Sequence, residues 1–285
     1  MARVVIVTSS ASDLTAELAA SVGIIVVPSI VTFGRAEFRA GIDLSIDDFW
    51  SRMVAPDTPF PITAPPAPGA FKDAYEAAFD AGADAIVSVQ MGARMSATLT
   101  SARIAAELFP DREIHLVDTG STSMATGLLA MLGAEMAALG VSAAEIAATL
   151  TRRAGDVRLY AALDTIEYLR RGGRASENLA AAGSDAVVKP VITINDGRVA
   201  VVDRFEGRRE AREHVVQLLT QRPVERLAIL HSPPADGDAF RSEVVTRIPG
   251  GVDPSRVIVY PVGLTIGPHI GPGCVGGVVL LPISA

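Results

Sequence analysis

Short runs of β-branched and aliphatic residues alternate along the chain with alanine-rich segments whose apolar positions recur at helical spacing. In the first half RVVIVTS, IIVVPSIVTF, AIVSVQM and EIHLVDT read as strands, and DLTAELAASVG, SIDDFWSRMV, GAFKDAYEAAFDAG and SATLTSARIAAELF as the helices between them. This alternation predicts a mainly parallel sheet covered by helices on both faces, an α/β architecture. Ser45 with Asp48, and Ser142 with Glu145, have the form of capping boxes and set two helix starts. Near Gly155 the texture changes. Beyond it VRLYAAL, VVKPVITI, RVAVVDRF, RLAILHS, RVIVYPV and GGVVLLPI predict strands, Asn195-Asp196-Gly197 a tight hairpin turn, and RREAREHVVQLLTQ and DAFRSEVVTRI two interleaved helices. Two domains are therefore expected, 1–155 and 156–285, the second of α+β type.

The most apolar stretch, MATGLLAMLGAEMAALG from Met124, is broken by Glu135 and several glycines. It predicts a buried helix, too short and too interrupted to span a bilayer. Over 285 residues the apolar fraction is 49%, enough for sizeable cores. With 32 acidic and 25 basic residues the net charge is −7, and the basic footprint of a nucleic-acid binder is missing. One cysteine, Cys274, excludes an intramolecular disulfide and a multi-thiolate zinc site. The opening MARVVIVTSS reads as a strand, not a signal peptide, so a cytoplasmic protein is expected. No repeat or low-complexity tract is apparent.

Four stretches carry candidate chemistry, each with a plain structural alternative. LTIGPHIGPGCVGG holds His269 in a loop with few other side chains. Gly271, Gly273 and Gly276 satisfy G-x-G-x-x-G there, but a strand follows where a dinucleotide fingerprint needs a helix, so no nucleotide site is expected. His269 is then either a loop histidine held by backbone or the polar contact of a ligand. PFPITAPPAPGAF is a proline-stiffened loop holding Thr63, or simply a ramp into the next helix. MGARMSATLTSA follows a predicted parallel strand, at the edge where open α/β sheets bind ligands, so Ser96 is an N-cap or a ligand-facing hydroxyl. LDTIEYLRRGGRAS places Arg170, Arg171 and Arg174 around a glycine pair, an ordinary basic helix end. Asp43 and Asp118 sit where they can brace backbone amides. The four histidines are scattered without metal-ligand spacing, so no metal is expected; the residue types leave a Ser-His-acid hydrolase open, but no G-x-S-x-G elbow occurs.

Taken in order, these segments resemble the DegV family. VTSSASDLTAE is similar to its V-T-D-S-T-x-D-L, GIDLSIDDFW to D-x-x-D-I-x-x-x-E-F, ITAPPAPGAF to T-S-Q-P-S-x-G-x-F, and RMSATLTSA to L-S-G-T-Y-x-S-A. IEYLRRGGRAS resembles L-x-Y-L-x-x-G-G-R-I-S, VVKPVITINDGRV the K-P-I segment, and HIGPGCVGGVVL the terminal H-x-G-P-G. The resemblance covers essentially the whole chain. It implies a Rossmann-like N-terminal domain, a C-terminal α/β domain and an acyl tunnel between or within them. It further implies a non-enzymatic carrier of a long-chain fatty acid, with no other cofactor, that presents the carboxyl group to a separate fatty acid kinase. By the same resemblance the head-group ligands fall on Thr63, Ser96 and His269, with Arg94, Thr98, Gly271 and Gly273 as supporting loop positions and Arg170, Arg171 and Arg174 as candidates for partner docking. A transient contact with a membrane surface stays open. The chain departs from the family pattern at Ser9, at Ala64-Pro65, at Gly92-Ala93 and at Glu206-Gly207.

The chemistry is coherent on its own terms. Each methylene removed from water contributes about 0.8 kcal/mol, so about fifteen supply on the order of 12 kcal/mol before association costs. An ionised carboxylate in an apolar site must keep its hydrogen bonds. A carboxylate beside His269 favours the imidazolium, so pH-sensitive binding is expected. Two other readings stand beside the carrier: a hydrolase or acyl-transfer enzyme with Ser96 as nucleophile and His269 as base, and a binding module for another acidic lipid.

Overall fold

The computed structural model describes residues 2–175, 188–195 and 197–283. Strands β1 (Val4–Ser9), β2 (Ile24–Val27), β6 (Ala85–Gln90) and β7 (Glu113–Asp118) form a parallel sheet in the order β2-β1-β6-β7. Their connections are α1 (Ala16–Ser21), α2 (Ile46–Val54), α3 (Pro68–Asp80) and α4 (Thr98–Ala106). On one face of the sheet α3 and α4 contribute Phe71, Tyr75, Phe79, Ala102 and Ala105 to a core over Val7 and Ile86. The other face is covered by α5 (Met124–Ala138) and α6 (Ala143–Arg153). Ser45 and Ser142 accept the expected capping bonds from Asp48 and Glu145 backbone amides.

The second sheet is mixed. Its order is β10-β9-β8-β13-β11-β12, built from β8 (Val157–Ala162), β9 (Lys189–Asn195), β10 (Arg198–Phe205), β11 (Arg226–His231), β12 (Val257–Pro261) and β13 (Val275–Leu280). Among these strands only β11 and β12 pair in parallel. Helices Arg208–Leu219 and Gly237–Val245 bury Val215, Leu219, Phe240 and Val244 on its outer face. Alternate residues of its strands, among them Leu159, Ala161, Ile192 and Leu230, point the other way, towards α5.

That arrangement explains why α5 is apolar all round: it lies between the two sheets, touching β1 and β6 of the first and β8, β11 and β13 of the second. Glycines let it approach closely. A Cβ on Gly127 would stand 2.7 Å from the Ser12 carbonyl oxygen. Glu135, which interrupts the apolar run, reaches out to the Arg226 guanidinium at 2.5 and 2.6 Å. One continuous apolar core therefore serves both halves. The boundary expected at 155/156 falls in the single turn Ala154–Asp156 before β8.

Three local expectations are corrected. The run Ile24–Phe33, read as one strand, is two: Pro28 cannot donate to a ladder, and the chain leaves the parallel sheet there. Its second part, β3 (Ile30–Phe33), pairs antiparallel with β4 (Ala36–Arg39) and β5 (Ile62–Ala64) in a separate three-stranded sheet. The proline-rich segment is thus no plain loop, since β5 lies within it. Finally, His269 sits in a one-turn helix, Gly267–Ile270, not in a loop, with Pro268 in its first turn. In the hairpin turn Asp196 lies outside the described residues, while Asn195 and Arg198 pair across it and Gly197 has φ +67°.

Candidate ligand-binding site

In the parallel sheet the strand order reverses between β1 and β6, and the loop leaving the C-terminal end of β6, Met91–Ala97, contributes Met91, Met95 and Ser96 to the lining of a cavity between the halves. Open α/β sheets hold ligands at this position. The cavity opens to solvent, and the empty space of about 910 Å³ at the site includes that open part. One wall is the inner face of the second sheet, with Leu159, Ala161, Ile192, Ile194, Val199 and Leu230. Polar side chains come from the opposite side and from the mouth.

Thr63 is placed by β5. It pairs with Val31 in the small sheet, and its Oγ1 lies 3.1 Å from His269 Nε2. Residues 206 apart in sequence thus meet across the two halves. The His269 turn is held from the first half at several points. Trp50 Nε1 donates to the Val262 carbonyl at 3.1 Å, and Ser10 and Thr265 hydroxyls bond at 2.9 Å. Gly267 packs so closely on the Phe49 ring that a Cβ there would lie 2.6 Å from it. Asp13, in the left-handed region at φ 56°, accepts from Ser123 Oγ at 2.5 Å and from the Gly263 amide at 3.1 Å. Burial pushes its carboxyl up to about 7 against the opposing effect of those two bonds.

The His269 ring is mostly enclosed. Burial, with the nearby Arg174 charge second, lowers it to about 4, so the imidazole is neutral. Its Nδ1 has no partner among the described residues and faces Gly172 so closely that a Cβ there would collide with it. A buried N–H without an acceptor costs more than a bare lone pair, so the proton belongs on Nε2, donated to Thr63 Oγ1. Thr63 keeps its own hydroxyl hydrogen for a ligand. Of the two roles open to Ser96, the helix N-cap is not taken, because α4 starts at Thr98 after Ala97. Its Oγ accepts from the Thr98 amide at 3.2 Å and bonds Thr98 Oγ1 at 2.8 Å. Arg174 donates to the Gly172 carbonyl at 2.8 Å and to the Met95 carbonyl at 3.3 Å, bridging the halves at the mouth.

Thr63, Ser96, Thr98, Arg174 and His269 thus line one cavity. The other expected residues lie outside its lining. Arg94 packs against Gly197, and Gly271 underlies the Tyr168 ring. Gly273 abuts Asp164, beside a separate pocket with Lys189 and Arg208. Arg171 stacks over Phe60 at 4.0 Å, and Arg170 lies 3.5 Å from Glu167. Ser176 of the glycine-arginine motif lies outside the described residues. Asp118 braces the Ala93 and Gly120 amides and Asp43 that of Arg39, as their strand-end positions suggested. Asp13, Trp50 and Gly172 were missed, although the lone tryptophan and the glycine pair were visible signals. Among the described residues no cluster of three or more His, Cys, Asp or Glu side chains is placed to hold a metal, and no helix is long and apolar enough to cross a membrane.

A protein-family model described as "Uncharacterised protein, DegV family" matches residues 3–281. A DegV domain-containing protein of Streptomyces coelicolor is 33% identical over 282 residues, 97% of this chain and 98% of that one. One from Deinococcus radiodurans is 32% identical over 286 residues, 99% of each. Among solved structures, a DegV family protein of Thermus thermophilus described for fatty acid binding superposes with a TM-score of 0.88 at 30% identity, covering 98% of this chain and all of that one. DegV of Bacillus subtilis, described as a fatty acid binding protein, shares the fold with a TM-score of 0.87 at 24% identity over 99% of this chain and all of that one.

Proposed function

The chain belongs to the DegV family, and from that premise and its cavity we propose that it carries a long-chain fatty acid, tail against the second sheet and carboxyl group at Thr63, Ser96 and His269. The observation that carries the reading is a single cavity with an aliphatic wall along one side and hydroxyl and imidazole groups from both halves at its mouth. The fatty acid binding described for the Thermus thermophilus relative supports the ligand class. An acyl chain laid on Leu159, Ile192 and Leu230 gains about 0.8 kcal/mol per methylene. At the mouth Thr63 O–H, turned outward by the Nε2–H bond from His269, donates to the carboxylate, and the Ser96–Thr98 hydroxyl pair supplies a second donor.

In this reading the protein is a non-catalytic component, and the carboxyl group is offered to a separate fatty acid kinase. The Ser96–His269 hydrolase alternative draws no support from the geometry. Ser96 is bonded to Thr98 and His269 to Thr63, and behind His269 Nδ1 stands Gly172 where an orienting carboxylate belongs. The test is mass spectrometry of organic extract from freshly purified protein, with palmitate titrated into the delipidated chain. One or two acyl acids at near-stoichiometric amount are expected, with binding weakened in Thr63→Val. No acyl acid in the extract and no palmitate binding would overturn the proposal.

A further inference from the structure

Between β2 and β3 one hydroxyl on the cavity wall is left over. Ser29 is 1% exposed and lines the cavity, yet its Oγ has no partner among the described residues. Its backbone is engaged: the amide donates to Ser10 Oγ at 2.9 Å, and the carbonyl accepts from the Ala40 amide at 2.9 Å. Ser10 Oγ in turn bonds Thr265 Oγ1 at 2.9 Å, which pins this point of the chain to the second half. Buried hydroxyls of native proteins are nearly always satisfied, and the side open to Ser29 is the cavity.

The register of the small sheet tells which part of a ligand Ser29 meets. The Ala40 bond continues the β3–β4 ladder back to Ser29, so strand alternation puts Ser29 on the same face as Val31. Val31 pairs with Thr63. Ser29 and Thr63 are therefore diagonal neighbours on one face, with Cβ atoms roughly 7 Å apart, and both line the cavity. Two charge-assisted hydrogen bonds of about 2.8 Å, one to each oxygen, together with the width of a carboxylate cover that distance. Both donors are available. Thr63 accepts from His269 and keeps its own hydrogen, and Ser29 spends its hydrogen on no other described residue. Each carboxylate oxygen has a further lone pair, so the Ser96–Thr98 pair can still be met at the mouth. An ester offers only its carbonyl oxygen as a good acceptor and carries an alkyl group where the second bond would run.

We propose that Ser29 is a carboxylate ligand, holding one oxygen while Thr63 holds the other, and that this second grip makes the cavity select free long-chain acids over their esters. This rests on the carrier reading. The test titrates delipidated native protein and Ser29→Ala with palmitate and with methyl palmitate. In the variant palmitate is expected to bind about tenfold more weakly, against less than about twofold for the methyl ester. Ser29→Cys, which keeps the volume and loses the strong donor, gives the same readout if the alanine variant does not fold. Equal losses for acid and ester mean that Ser29 only shapes the wall, and unchanged palmitate binding means that its hydroxyl does not meet the ligand; either result overturns the proposal and leaves the carrier intact. Native protein that binds neither compound overturns both readings.

Discussion

Replacing Asp13 by asparagine is expected to stabilise the protein, and to do so more at alkaline than at acid pH. The buried carboxyl titrates at about 7 in the folded chain against 3.8 as a free side chain. A raised acid pKa means that the folded state binds the proton more tightly, so this group favours folding fully only below pH 4 and the contribution is lost as pH rises towards 7. At 1.36 kcal/mol per unit, the whole difference is on the order of 4 kcal/mol, of which about 2–3 kcal/mol develops between pH 5 and pH 8. Asparagine keeps the geometry: its Oδ1 still accepts from the Gly263 amide, its amide group donates to a rotated Ser123 hydroxyl, and it tolerates the φ of 56°. Urea denaturation of the native chain and of Asp13→Asn at pH 5 and pH 8 measures the effect. A stability gain from the substitution that is the same at both pH values would refute the reasoning.

Three further outcomes follow from the site and the core. Gly172→Ala drives a methyl group into His269 Nδ1, so the imidazole must move off Thr63, and palmitate affinity measured by calorimetry should fall at least about tenfold. Because His269 rests neutral at about 4 and a bound carboxylate raises it, the complex holds more protons than the free protein; palmitate affinity should rise from pH 8 to pH 5.5, and His269→Ala should lose that added slope. Glu135→Ala removes the two short bonds to the buried Arg226 guanidinium, and since the carboxylate is half-exposed a loss of about 1–2 kcal/mol is expected in urea unfolding.

The regular elements were legible because burial leaves a period in the sequence. Two-sided burial gave AIVSVQM apolar residues on both faces, with Ser88 and Gln90 as its buried polar members, and α5 its lack of a polar face. What escaped was set by contacts distant in sequence. Ile62–Ala64 carries no strand signature among its prolines and becomes a strand only because β3 stands beside it. The resemblance, not any local pattern, joined Thr63 to His269. Nothing near Asp13 announces that it will meet Gly263, 250 positions later. Ser96 carried two readings for the opposite reason: a serine before a helix suits a cap, but here the helix begins one residue too late for it, which leaves the ligand-facing alternative.

The helix wedged between the two sheets also governs how a guest gets in. Parting the halves like the covers of a book would wet Leu128, Leu129, Met124 and their neighbours at roughly 1.5–3 kcal/mol apiece, more than the stability of a typical domain can supply. The spine therefore stays shut, and a fatty acid of the kind proposed would have to enter lengthwise past Arg174 and Thr63, which line the cavity, tail first and carboxyl group last.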